Sequence, residues 1–130
     1  MTATLVSSTP VTSPLLDELL TRLPEARQVV VGTDAGLVHA LPSNGDRQVA
    51  DQLCALGANL ISLSGGLSHL GYGKPRRFLT RVPAGWLLVF PIDERLRAVL
   101  VVEGTVQLKQ ARTQLDALIT RFLDLYGGAR

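Results

Sequence analysis

Between Gln52 and Gly73 the chain has no Asp, Glu, Lys or Arg, within a helix-length stretch, Asp46 to Leu70, that is apolar almost all the way round. A surface helix ordinarily has one apolar stripe and a charged back. With the helical period applied from Leu53, Val49, Leu53, Leu56, Leu60, Leu63 and Leu67 share one stripe. Ala50, Cys54, Gly57, Ile61 and Ser64, mostly small, form a second stripe beside it. The remaining back is narrow and weakly polar: Gln48, Asp51, Gln52, Asn59 and Ser62, with Ala55 among them. One helix in a short chain has one core to face. The leucines are therefore expected on the sheet, and the small-residue stripe against a second copy of the chain.

The totals agree with an ordered domain that associates. The 130 residues are enough for one domain with a core of its own. They are 46% hydrophobic and only 18% charged, against about 25% charged in an average domain. Net charge is +2, too small to imply nucleic acid without a focused patch. Cys54 is the only cysteine, so no intrachain disulfide or Cys-rich zinc site is available. Asn59, His69, the serines and the glycines interrupt the uncharged stretch. It therefore lacks the roughly 20 predominantly apolar residues of a membrane span. Met1 to Ser13 lacks the basic start and apolar run of a signal peptide, so a cytoplasmic location is expected.

Pro14 suits the first turn of a helix, and Leu15, Leu16, Leu19, Leu20 and Leu23 follow at helical spacing before Pro24. Ala26 to Thr33 and Leu37 to Leu41 read as strands joined by Asp34-Ala35-Gly36, with glycine where a tight hairpin needs positive φ. Pro42 to Asp46 supplies a turn and helix caps before the long helix, which Gly71, Gly73 and Pro75 close. Arg76 to Val82, Trp86 to Pro91 and Leu96 to Val102 read as a three-strand meander, the last nearly all apolar as a central strand would be. A final helix follows, with Leu108, Ala111, Leu115, Leu118, Phe122 and Leu125 on its inner face. The order α-β-β-α-β-β-β-α predicts an α+β three-layer sandwich. In it a five-stranded antiparallel sheet has two helices on one face and the long helix alone on the other. The expected organisation is a flexible segment at 1–13, the domain at 14–126 and a tail at 127–130.

That order resembles the roadblock (dynein light chain) domain family, over about Leu15 to Leu125. Three stretches carry the likeness: the leucine helix running into Pro24-Glu25-Ala26-Arg27 and Gln28-Val29-Val30-Val31; the Asp34-Ala35-Gly36-Leu37-Val38 hairpin; and the uncharged helix followed by Leu88-Val89-Phe90-Pro91-Ile92. The resemblance implies a profilin-like fold and a homodimer or higher oligomer in which long helices pack together and strands of two sheets can join. It also implies a small Ras-like GTPase as partner, as prokaryotic members of the family regulate. Gly65-Gly66 departs from the pattern, sitting where family helices continue, and points to a bend or early end there.

No catalytic constellation emerges. Cys54 has neither a base nor a helix N-terminus beside it. His39 and His69 share no metal or triad spacing. Ser68 to Pro75 contains Gly-Lys but lacks the first glycine, the following Ser/Thr and the preceding strand of a phosphate loop. No enzymatic activity, cofactor or metal is therefore expected. The expected dimer contact is Ala50, Cys54, Gly57 and Ile61, with Arg77, Phe78 and Leu79 flanking a strand–strand joint. The expected partner surface is Gln48, Asp51, Gln52, Ala55, Asn59 and Ser62, because low charge density is typical of the centre of an interface. Together these describe a non-catalytic adaptor or regulator of a small GTPase. The alternatives are a small-molecule-sensing domain of related fold and a nucleic-acid binder using the basic run Lys74, Arg76, Arg77 and Arg81. Phe78 alone gives that binder little to stack on.

Overall fold

A computed structural model describes residues 11–127. In chain order the elements are β1 (Val11–Thr12), α1 (Pro14–Arg22), β2 (Ala26–Thr33), β3 (Val38–Leu41), α2 (Arg47–Leu63), α3 (Gly66–His69), β4 (Phe78–Val82), β5 (Gly85–Pro91), β6 (Leu96–Glu103) and α4 (Leu108–Phe122), the last ending in a π-helical turn to Gly127. The sheet order is β1-β3-β2-β6-β5-β4. Five strands pair antiparallel as expected.

The sixth strand corrects the expectation of a purely antiparallel five-stranded sheet. Val11 and Thr12 run parallel to β3, opposite Ala40 and Leu41, so the sheet is mixed. The buried Ser13 anchors this segment by donating its backbone N–H to Leu41 O at 3.0 Å. Two residues carry too little pattern to announce a strand; the open edge of β3 supplies their partner. The rest of the expected flexible segment, and 128–130 of the expected tail, lie outside the described residues.

Helices α1 and α4 cover one face of the sheet, burying Leu15, Leu16, Leu19, Ala111, Leu115, Leu118 and Phe122 against Val29, Val31, Leu88, Phe90 and Leu100. Glu18 ties the two helices together, pairing with Arg22 at 2.7 Å and with Arg121. Helix α2 lies on the other face over Val30, Val38, Leu87, Val89 and Val99. The apolar run of β6 is central, as its composition implied. The hairpin glycine, Gly36, has φ +84°.

The orientation of α2 overturns the assignment of its stripes. The small residues face the chain's own sheet: Ala50, Cys54 and Gly57 are buried. The leucines form the outer shoulder. Leu53 and Leu60 are half-buried, and Leu56 and Leu63 are exposed, Leu63 by 82%. The reason is close approach. A Cβ on Gly57 would lie 3.2 Å from Val99 Cγ2, and one on Gly32 of β2 would lie 2.7 Å from Cys54 Sγ. Such a gap admits small side chains only, so the bulky ones are displaced outward.

The long helix also ends before the expected Leu70. Asp46 caps its start, accepting from the amides of Gln48 at 2.9 Å and Val49 at 3.3 Å. At its end Gly65 N–H donates to Ser62 O at 3.1 Å, the i−3 partner rather than i−4, while Ser64 Oγ donates to Ile61 O at 2.8 Å. The chain leaves the helix at the Gly65-Gly66 pair, resumes for one turn as α3, and is turned away by Gly71 and Gly73 at φ +90° and +88°.

Candidate functional site

Helix α2 presents two surfaces side by side. Gln48, Asp51, Gln52, Ala55, Asn59 and Ser62 are all exposed and share the outward face, where Arg47 pairs with Asp51 at 3.1 Å. The leucine shoulder adjoins it, and Leu67, Leu70 and Tyr72 prolong the exposed apolar surface past the helix break. With Leu56 and Leu63 they place five large exposed apolar side chains on one connected segment. Periodicity pointed to the helix but set the leucines inward and the small residues outward, the reverse of what the structure shows. The available signal was the run of small residues at three- and four-residue spacing, which marks close packing on a sheet.

Strand β4 extends this surface to the sheet edge. Among the described residues it pairs with β5 alone, so its other side is open. Phe78 is half-buried in the α2-side cluster together with Leu53, Leu60, Ile61 and Val101, whereas Leu79 turns to the α4 side and is exposed. Alternation along the strand splits the basic run. Arg77 pairs with Asp116 of α4 at 2.9 Å and lies 4.4 Å from the Phe90 ring centroid. Arg81 lies over Trp86 at 5.5 Å. Lys74 and Arg76 instead line a cleft with Ile61 of α2. The four cations therefore do not form one patch.

The titratable groups have ordinary structural explanations. Burial pushes the Cys54 thiol up to about 12, with Asp51 adding to the effect and Arg47 opposing it. Such a thiol is not a nucleophile at neutral pH. Burial, then the charge of Arg95, hold His39 below its usual value, against a smaller opposing pull from Asp93. Its ring meets Phe122 edge-on, with centroids 6.2 Å apart. Among the described residues no group of three or more His, Cys, Asp or Glu is placed to hold a metal ion. No described helix is long and apolar enough to cross a membrane.

Residues 13–103 match the sequence model of the Roadblock/LC7 domain. The chain belongs to the Roadblock/LC7 domain family. Solved structures carry the same fold. A Roadblock/LC7 domain from Streptomyces avermitilis superposes with a TM-score of 0.76 at 20% identity, over 85% of this chain and 93% of that one. Myxococcus xanthus MglB gives a TM-score of 0.75 at 16% identity, over 88% and 93% respectively. An MglB described with a tetrameric arrangement gives 0.75 at 20% identity, over 89% and 88%. A comparison with curated protein sequences returned no match. In this roadblock chain the six positions expected to meet a partner, five polar residues and Ala55, share one accessible surface. Of the seven expected at the dimer contact, Ala50, Cys54 and Gly57 are covered by the chain's own sheet, and Arg77 is engaged with α4. Ile61 and Phe78 keep accessible surface at the α2–β4 side, and Leu79 is exposed on the α4 side of β4.

Proposed function

We propose that this roadblock chain is a non-catalytic, dimeric adaptor that binds and regulates a small Ras-like GTPase. The observation that carries the reading is the outer surface of α2, where a partly exposed leucine shoulder lies directly beside an almost uncharged polar strip. The two surfaces suit two occupants. The leucine shoulder, Leu53, Leu56, Leu60 and Leu63, has the apolar content of a homodimer interface core. The open edge of β4 beside it lets two sheets join by backbone hydrogen bonds. The polar strip, repeated on both copies, becomes a broad platform for the GTPase. Membership in the family supports the partner class, and resemblance to MglB supports a prokaryotic type of regulator. The chemistry of the chain supports an adaptor rather than an enzyme: its cysteine is buried, Asp51 of the strip is held in a surface ion pair and Asp93 shapes a turn.

The test is capture of GTPases from the native lysate on the immobilised protein, with GTP- or GDP-type nucleotide present and mass spectrometry as readout. A Ras-like GTPase retained with one nucleotide and not the other is the expected result, lost in Gln52→Lys and Asn59→Lys. Retention unaffected by those two changes would move the partner surface off α2. Wild-type protein that sediments as a monomer at micromolar concentration would remove the dimer.

A further inference from the structure

A second site lies away from the strip just described, between the end of α2, the segment before β4 and the β5–β6 turn. It is an open cleft of about 720 Å³ lined by Ile61, Lys74, Pro75, Arg76, Pro91, Ile92, Asp93, Glu94 and Arg97. That volume falls among the clefts of roughly 300–1,000 Å³ that hold small molecules. Arg97 stands on the α2 face of β6, in register with Gly32 and Pro91. Its Nη1 is buried, and no acceptor among the described residues reaches it. A buried guanidinium N–H without an acceptor is rare and costly. Here it belongs to a residue that lines a cleft together with two further cations, Lys74 and Arg76.

The carboxylates of the lining do not cancel this. Asp93 Oδ1 already accepts from the backbone amides of Arg95 at 2.8 Å and Leu96 at 2.7 Å, shaping the turn. Glu94 is exposed at the tip of that turn. The lining thus keeps one more positive than negative side chain, with its buried donor on the positive side.

We propose that this cleft binds a phosphate-bearing small molecule, with Arg97 as the buried donor and Lys74 and Arg76 as the outer charges. Three separate cationic groups suit a tetrahedral oxyanion with three strong acceptor oxygens, whereas one guanidinium fork satisfies a carboxylate. The site is unrelated to a phosphate loop, since its donors are side chains from separate segments rather than a glycine-rich turn. It is also independent of the GTPase reading, because none of its residues belongs to the polar strip.

Titration of the full chain with pyrophosphate, inorganic phosphate and citrate, followed by two-dimensional amide NMR, tests it. Saturable shifts confined to 74–76 and 91–97 are expected with the phosphates. Arg97→Gln weakens pyrophosphate binding by about tenfold, the loss of a charge-assisted hydrogen bond. Arg112→Gln on α4 leaves it unchanged. The exposed pair Lys74→Gln and Arg76→Gln, whose removal does not touch the core, weakens binding likewise and serves if Arg97→Gln does not fold. Shifts spread over the whole surface, equal binding by the variants, or a preference for citrate over both phosphates would each overturn the proposal.

Discussion

Replacing Gly57 with valine separates the two possible orientations of α2. A Cβ at this position lies 3.2 Å from Val99 Cγ2 and 3.6 Å from Val89 Cγ1, so Val99 must give way before either γ-methyl is placed. Overpacking of this kind costs about 1–3 kcal/mol, and the two extra methyls set valine toward the upper end. Removing a mid-helix glycine returns about 0.4 kcal/mol, the difference between the helix propensities of glycine and valine. The net destabilisation is about 2 kcal/mol. At roughly 4 °C per kcal/mol for a domain of this size, Tm falls by about 8 °C. Circular dichroism melting reads this at fixed protomer concentration, because association raises Tm by mass action. Sedimentation under the same conditions reads the oligomer. An unchanged Tm together with loss of self-association would refute the placement of this stripe on the chain's own sheet. Gly57→Ala is the control: its helix-propensity gain of about 1 kcal/mol offsets the single tight contact, and its Tm stays within a few degrees.

Leu63→Lys, at the most exposed leucine of the shoulder, leaves the circular dichroism spectrum unchanged and lowers the sedimentation coefficient to that of a monomer; an intact dimer would place the contact elsewhere. Cys54, 2% exposed, resists alkylation in the folded protein and reacts at the rate of global unfolding; modification at the rate of a free thiol would show that α2 lifts locally. Because the folded thiol holds its proton to about 12 against an ordinary 9.0, stability is full below pH 9 and declines as pH climbs toward 12. In Cys54→Ala that alkaline decline is smaller, as urea titrations at stepped pH would reveal. For His39 the sign is reversed. Its lowered folded pKa means that the unfolded chain takes up the proton first, so stability is present above about pH 6.5 and lost as pH falls. His39→Gln flattens the melting temperature between about pH 7 and 5, and an unchanged slope would assign the acid sensitivity to other groups.

The element order and the hairpin at Gly36 were legible because each has a local cause: repeating leucines, a proline at a first turn, a glycine at positive φ. Strand β1 was not, since two residues between Pro10 and Ser13 become a strand only when the edge of β3 is beside them. The helix end was half legible. The glycine pair at 65 and 66 announced a weakness, and the hydrogen bonds of Ser64 and Gly65 fixed the break. The polar strip was readable in full, because exposure follows from period once one face of a helix is buried. Arg97 was invisible. In sequence it is one arginine in an apolar strand, and its buried donor acquires meaning only from Lys74 and Arg76 in the lining of the same cleft.

Sequence alone determined that the stretch from Gln52 to Gly73 is nearly uncharged, helical at its start and too apolar to serve a single face. Only the tertiary structure decided which face turns inward. Hydrophobicity ranks leucine above glycine, alanine and cysteine for burial, but a helix lying close on a sheet is limited by volume. The approach at Gly32 and Gly57 leaves room for small side chains, so the leucines stay outside, available to a second chain.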